Sequence, residues 1–514
     1  LAAVEVDCVS GPDLGAGPTL KNTARRALPY AALSGALQIL LSLIGVLLLV
    51  RYLEPNLYGK WAVMVGFGAP IVLFTSLGFR HSLLRFSSSL EDRDARSRFL
   101  WTVLFRRLVP AMATCIALYL AFPLLAARLG LEGQSDVFRL LAPGFFLLAA
   151  NQYLVVGLNA DFRQREVFLG SVLQQTAIVV GVIIGVQLQA GLVYFAGALL
   201  VASALYTLFN LIAAIHHLGR PQWSDLGQTH PESPEERHYR RSSYVDDVGN
   251  SLLSSDMSRF ILAAFSTSPQ VAIYAVATNV VDRLRALIPL EVFRPLATVV
   301  FFKRFDESES VEEVNRIFHL LFAVNRIVTV GYLALFIPLG QAALTWVFRP
   351  DYGVSYLPVV ILLTGMGIFA MPIGLVAQTL RRPQWLVYSK IAVILNIGLG
   401  IPLTIEYGPS GMAAATLVSE LTKSVIVYGL LRREFEIRYP LAINLRFVLA
   451  GASVAVLLFA IDSHVHVLFA GAIGAIGWLA ALRVFRVLSA EQRQLLRSIT
   501  PDRFQRPLRI VLGA

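Results

Sequence analysis

The chain has 514 residues, 56% hydrophobic and only 15% charged, with 44 Lys and Arg against 33 Asp and Glu for a net charge of +11. Soluble domains carry about 25% charged residues, and no single core buries this much apolar surface, so a water-soluble enzyme or a nucleic-acid-binding protein is excluded. A bilayer accepts such a chain directly. Two cysteines, Cys8 and Cys115, give neither a disulfide framework nor a metal-ligand spacing, and no metal or cofactor is expected. The first twenty residues, acidic and rich in Gly and Pro, do not read as a cleaved leader.

Windows of about 20 apolar residues predict an all-α integral membrane fold of about 14 transmembrane helices. They fall at 27–50, 61–79, 103–127, 139–159, 168–187, 191–214, 244–265, 271–297, 318–340, 355–379, 385–404, 410–431, 441–461 and 464–487. Residues 1–26 form an N-terminal tail and 27–215 a first six-helix lobe. A polar linker at 216–243 leads to a second six-helix lobe at 244–431. Residues 432–487 hold two additional helices and 488–514 a basic amphipathic tail suited to anionic lipid.

Basic residues sort by loop. With both termini on the cytoplasmic side, 33 of the 44 lie in inner segments, five in outer loops (Arg51, Lys60, Arg128, Arg139 and Arg349) and six inside spans. That asymmetry follows the positive-inside rule and predicts an N-in, C-in multi-pass protein. The outer loops are too short to fold as a catalytic domain, and no GxxxxGK[ST] loop occurs, so ATP hydrolysis is excluded and an enzyme is not expected.

A faint repeat joins the halves. The link after the first span reads Pro55-Asn-Leu-Tyr-Gly-Lys-Trp61, and the link after the seventh reads Pro269-Gln-Val-Ala-Ile-Tyr274. Spans six and twelve open alike, at Gly191-Leu-Val-Tyr-Phe-Ala and Gly411-Met-Ala-Ala-Ala.

Five segments carry a family resemblance: RYLEPNLYGKWAV (51–63), SLGFRHSLLRF (76–86), SSDMSRFILAAFSTSPQVAIYAVA (254–277), TWVFRPDYGVSYLPVVIL (345–362) and YGPSGMAAATLVSELTKSVIVYGLLRREF (407–435). In their order and spacing the chain resembles the polysaccharide flippases, of the O-antigen and exopolysaccharide type, in the multidrug/oligosaccharidyl-lipid/polysaccharide exporter superfamily. Ala272 stands where that family has Gly in the second-half turn. The resemblance implies two six-helix lobes related by pseudo-symmetry around a central cavity, with alternating access. It also implies a glycan on a polyprenyl diphosphate as substrate, a cell inner (plasma) membrane location, and work alongside membrane lipids and other polysaccharide assembly proteins, without nucleic acid.

A lone charge at the bilayer centre costs about 2.5–3.5 kcal/mol, so the six intramembrane basic residues must be paired, snorkelling or facing water. Four pairs stand at i,i+3: Asp256 with Arg259, Asp282 with Arg285, Glu291 with Arg294, and Glu420 with Lys423. These read either as salt bridges within the bundle or, at Asp256 and Asp282, as coupling groups for a proton or cation. Arg283 and Arg326 have no acidic residue at i±3 or i±4. Because the guanidinium fork suits phosphate oxygens, Arg259, Arg283 and Arg326 are predicted to line a cationic cavity for the diphosphate. Asp246 and Asp247 read as hydrated interfacial groups.

Trp61, Trp101, Tyr194, Trp346 and Trp385 read as an interfacial belt or as sugar-stacking platforms. Gly181 and Gly185 predict close helix packing. Pro29, Pro70, Pro143, Pro338 and Pro372 are positioned to kink spans. Two other functions fit part of this pattern. A cation-coupled multidrug exporter of the same superfamily would find the three arginines repulsive, and a membrane-embedded polysaccharide polymerase or ligase would need larger outer loops. A non-transporting scaffold would tolerate loss of every cavity arginine.

Overall fold

The computed structural model describes residues 37–87, 90, 92–161, 163–221, 233–288, 291, 311–369, 373–380, 384–461, 465–489 and 492–493. Pro29, Arg294, Pro372, His464, the N-terminal tail and nearly all of the C-terminal tail lie outside the described residues. Every regular element among the described residues is helical. Nine helices there are long and apolar enough to cross a membrane. The chain divides by its internal contacts into two compact units, with the division between Ala275 and Val276.

The first unit begins with α1 (Leu37–Tyr52), an apolar helix shorter than a full span. Pro55 opens α2 (Pro55–Gly66) at its first position, where a missing N–H costs nothing. The helix bends at Phe67 into α3 (Gly68–Ser76), which ends on Leu77 and Gly78, both in the left-handed region. Next come α4 (Phe79–Ser87) and α5 (Arg93–Arg128). The Asp92 carboxylate caps α5 by accepting from the Asp94 and Ala95 amides, both at 3.1 Å. Pro110 and Pro123 lie inside α5.

Three long helices complete the span set of this unit: α6 (Ser135–Ala160), α7 (Gln164–Gln187) and α8 (Leu192–Leu218). Gly181 and Gly185 face α8 as the spacing predicts. A Cβ at Gly181 would stand 2.8 Å from that of Ala198, and one at Gly185 would meet the rings of Phe195 and Tyr194 at 2.6–2.8 Å. Between α6 and α8 the Asn210 side-chain amide donates to Asn151 Oδ1 at 2.9 Å, a buried pair of the kind that joins helices where water is absent.

The predicted seventh span is two helices, α9 (Pro234–Leu252) and α10 (Ser255–Phe265), broken at residues 253–254. Ser254 explains the restart, since its hydroxyl accepts from the Met257 amide at 3.4 Å. Proline again sits in the first turn of α11 (Ser268–Ala286), which runs across the division between the units. α2 passes close to the start of α11. A Cβ added at Gly59 would lie 1.8 Å from the Ser268 carbonyl oxygen, so only glycine permits the approach.

The second unit is built on α12 (Val311–Val347), whose Pro338 is internal. A 3₁₀ turn (Pro350–Ser355) leads into α13 (Tyr356–Thr364), which passes directly into a π-helical turn (Gly365–Phe369). Two short helices, α14 (Ile373–Thr379) and α15 (Gln384–Tyr388), precede α16 (Ile391–Phe435). The apolar stretch Gln384–Phe435 is 52 residues long. As one straight helix it would measure about 78 Å, well over twice the bilayer core, so it contains two crossings. The break is at Gly408, with φ 55° and ψ −131°, followed by Pro409.

The two additional helices are α17 (Leu441–Ala460) and α18 (Val467–Val484). Both pack on α12 through a core of Ala323, Val330, Phe447, Val454, Trp478 and Leu482. The Trp478 indole donates to the Ile327 carbonyl at 2.9 Å, and Gly331 leaves room for it. Their opposite faces stay bare: Phe459 on α17 is 64% exposed and Val484 on α18 75%. Such apolar exposure suits acyl chains and not water. Trp101 and Trp385 depart from the belt reading, since both are buried in the bundle, Trp101 donating to the Gly219 carbonyl at 3.0 Å.

Gly59→Ala should destabilise the protein by about 1–3 kcal/mol through overpacking against the Ser268 carbonyl. Gly197→Ala, whose Cβ meets nothing within 4 Å, should be neutral or slightly stabilising in mid-helix. Thermal unfolding of the purified chain in detergent compares the two, and equal midpoints would rule out the close crossing.

Candidate substrate site

Arg259 stands on α10, one turn past the break that ends α9. Its Nη1 donates to Asp256 Oδ1 at 2.9 Å, with the two side chains 11% and 26% exposed, so the i,i+3 pair read from the sequence is formed. Asp256 lies in the first turn of α10, where a helix N-terminus favours negative charge. It lies beside Gly66, where an added Cβ would meet Asp256 and Phe260 at ordinary contact distances of 3.6–3.8 Å. Interrupted helices of this kind carry the binding groups of many transporters.

Arg326 is on α12 and is 1% exposed. Its Nη1 donates to the Gly367 carbonyl in the π turn, its Cζ lies 4.5 Å from the centre of the Phe322 ring, and Tyr439 hydrogen-bonds to it. Tyr439 packs edge-on against Phe322 at 5.5 Å and Tyr428 at 5.9 Å. Burial raises the Tyr439 phenol above its ordinary range, and the adjacent guanidinium opposes that shift. Gly367 permits the arrangement, because a Cβ there would fall 2.4 Å from Leu333 Cδ1. The π turn leaves backbone acceptors outside the regular ladder, and Arg326 occupies one of them.

Arg283 and Asp282 are half-buried near the end of α11, and Arg285 is exposed. Glu420 and Lys423 approach to 3.9 Å on α16, each about one-third exposed. Asp246 accepts from the Asn250 amide at 3.1 Å, and Asp247 accepts from His81 at 2.9 Å. Arg259 belongs to the first unit and Arg283 and Arg326 to the second. No group of His, Cys, Asp and Glu among the described residues is arranged to hold a metal ion. Sequence reasoning missed Tyr439 and Gly367 as partners of Arg326. It also missed that Arg107 and Arg240 share the Phe79 ring, their Cζ atoms 4.5 and 4.4 Å from its centre.

Apolar helices long enough to cross a bilayer, several of them broken and with arginines inside the apolar zone, make this a polytopic membrane protein. The fold is like that of a lipid II flippase and of MATE family transporters. Residues 48–301, just under half of the chain, match the family described as "Polysaccharide biosynthesis protein". The chain is similar to a lipid II flippase, MurJ, in an inward closed conformation, at 15% identity and a TM-score of 0.73 over 91% of this chain and 99% of that one. It is similar to an inward-facing multidrug resistance MATE family transporter at 17% identity and a TM-score of 0.62, over 78% and 94%. It is also similar to a MATE in the straight conformation at 14% and 0.51, over 81% and 96%. No curated protein sequence matches the chain. The family match and the fold together bear out the polysaccharide-flippase resemblance of the five sequence segments.

Arg326→Leu should cost about 1–3 kcal/mol or more by leaving the Gly367 carbonyl and the Tyr439 hydroxyl without their partner. Arg326→Lys should recover only part of that loss, since a lysine lacks the planar fork. Unfolding midpoints of the two variants test this, and equal stability of Arg326→Leu and the parent would show that the guanidinium holds nothing in place.

Proposed function

We propose that the protein flips a polyprenyl-diphosphate-linked oligosaccharide across the cell inner membrane for polysaccharide biosynthesis, by alternating access and without catalysing a reaction. The observation that carries this reading is the polysaccharide-biosynthesis family match laid over an exporter fold. Intramembrane arginine supports it. A diphosphate carries about two negative charges, and arginines inside the apolar zone are the complementary groups.

In this reading Arg259 and Arg283 meet the diphosphate, and Arg326 joins them when the contacts around the π turn open. Asp256 holds Arg259 in the resting state and exchanges it for phosphate oxygens when substrate arrives. Asp282 with Arg285, and Glu420 with Lys423, remain pairs that steady their helices or take part in coupling. The substrate is lipid-linked glycan of the O-antigen or exopolysaccharide kind, handed on to other assembly proteins, and both termini lie in the cytoplasm.

The MATE-like fold favours a second reading, a cation-coupled multidrug exporter. The sign of the intramembrane charge favours the first reading, because a cationic drug would be repelled by the same arginines.

The test replaces Arg259, Arg283 and Arg326 singly by Ala and by Lys in cells whose surface polysaccharide depends on this protein, with membrane abundance followed throughout. Polysaccharide at the surface should fall at least several-fold in the Ala variants while abundance holds, and Lys should rescue in part. Normal export by all three Ala variants would overturn the proposal. Drug efflux without any polysaccharide phenotype would favour the second reading.

A further inference from the structure

The chain leaves α16 on Glu436, in the left-handed region at φ 51°, and α17 starts at Leu441, so residues 436–440 strap the two helices together. Ile437 is 1% exposed and anchors the strap in a core with Phe318, Leu431 and Trp385. At Arg438 both main-chain groups are taken by side chains of α12. The amide donates to Asn315 Oδ1 at 2.9 Å, and the carbonyl accepts from His319 Nε2 at 2.8 Å. Tyr439, the next residue, packs on Phe322 at 5.5 Å and hydrogen-bonds to Arg326.

Asn315, His319, Phe322 and Arg326 stand at i, i+4, i+7 and i+11, which is one stripe along a helix. The stripe covers about 16 Å of α12. It runs from two partly exposed side chains to a guanidinium that is 1% exposed and donates to the Gly367 carbonyl in the π turn. Two side chains matched to the N–H and the C=O of one residue fix its place along the stripe, much as a neighbouring strand would. Each such hydrogen bond shifts an equilibrium by only a few-fold to about tenfold, so the clamp holds the strap without making it permanent.

We propose that residues 436–440 are a latch on Arg326, with Asn315, His319 and Tyr439 as its positioning residues. Freeing the guanidinium takes a movement of helices, and α12, α16 and α17 are tied together at this end while the Arg438 main chain is clamped and Tyr439 lies on Phe322. Release of the clamp withdraws the Tyr439 hydroxyl and lets the oxygens of an anion take its place on Arg326. The role of the latch in transport rests on the reading in which Arg326 meets a diphosphate, whereas its opening and closing are measured apart from export.

The full chain in detergent is treated with phenylglyoxal, which modifies accessible guanidinium groups, and each arginine is read by peptide mass spectrometry. Asn315→Ala combined with His319→Ala should raise modification of Arg326 about tenfold or more over the parent, as two hydrogen bonds are lost. Arg259, in the other unit, should change by less than about twofold. Asn315→Asp keeps an acceptor for the Arg438 amide and His319→Gln keeps a donor for its carbonyl, so each should stay within about threefold of the parent. Unchanged Arg326 in the double variant, an equal rise at Arg259, or double-variant labelling in the two conservative variants would overturn the latch. Where the double variant does not fold, Tyr439→Phe removes the hydroxyl and keeps the ring, and should raise Arg326 modification several-fold; parent-like protection would overturn the latch. Increased labelling of the latch variants alongside normal export by Arg326→Ala would leave the latch standing and remove Arg326 from the substrate reading.

Discussion

Inside a hydrocarbon layer no water satisfies a backbone amide or a charge, and the rest of this structure follows from that constraint. The backbone answers with helices alone among the described residues. Where a helix must break, a local device takes up the freed groups. Ser254 caps α10, a π turn continues α13, and Gly408 with Pro409 separates two crossings in one long apolar stretch. The side chains answer by pairing. Asn151 with Asn210, Asp256 with Arg259, and Arg326 with a carbonyl and a phenol are three chemically different solutions to the same shortage of water.

Those solutions differ in how readily they are undone. The Asp256 carboxylate is about a quarter exposed and accepts from Arg259 at 2.9 Å within one helix, an arrangement that competing oxygens can replace without moving helices. Arg326 is enclosed by Phe322, Tyr439 and the π turn, so freeing it means moving helices. The two arginines look equivalent as isolated intramembrane charges. Their surroundings make one the partner of a carboxylate on its own helix and the other a fastening between helices.

Much of the fold was legible in the residues. Among the described residues the apolar windows fall on helices, both prolines of the faint repeat occupy first turns, and the glycines at 181 and 185 pack against the next helix. The i,i+3 rule found Asp256 with Arg259 and Glu420 with Lys423 because those partners share a helix. The same rule was blind to Arg326, whose partners lie 41 and 113 residues away and include a backbone carbonyl, which no side-chain pattern advertises. Trp101 and Trp385 misled for a related reason, since tryptophan at a span end has an interfacial preference but takes a buried carbonyl or ring when packing offers one.

The contact between Gly59 and the Ser268 carbonyl sets main chain against main chain. Contacts between side chains can be loosened gradually, by one rotamer at a time, and tuned by pH or salt. A junction of peptide groups has no rotamers and no ionisable atoms. It stays shut under any change of solution chemistry that leaves the helices in place, and it parts only when a whole helix shifts, which makes its opening a single mechanical event.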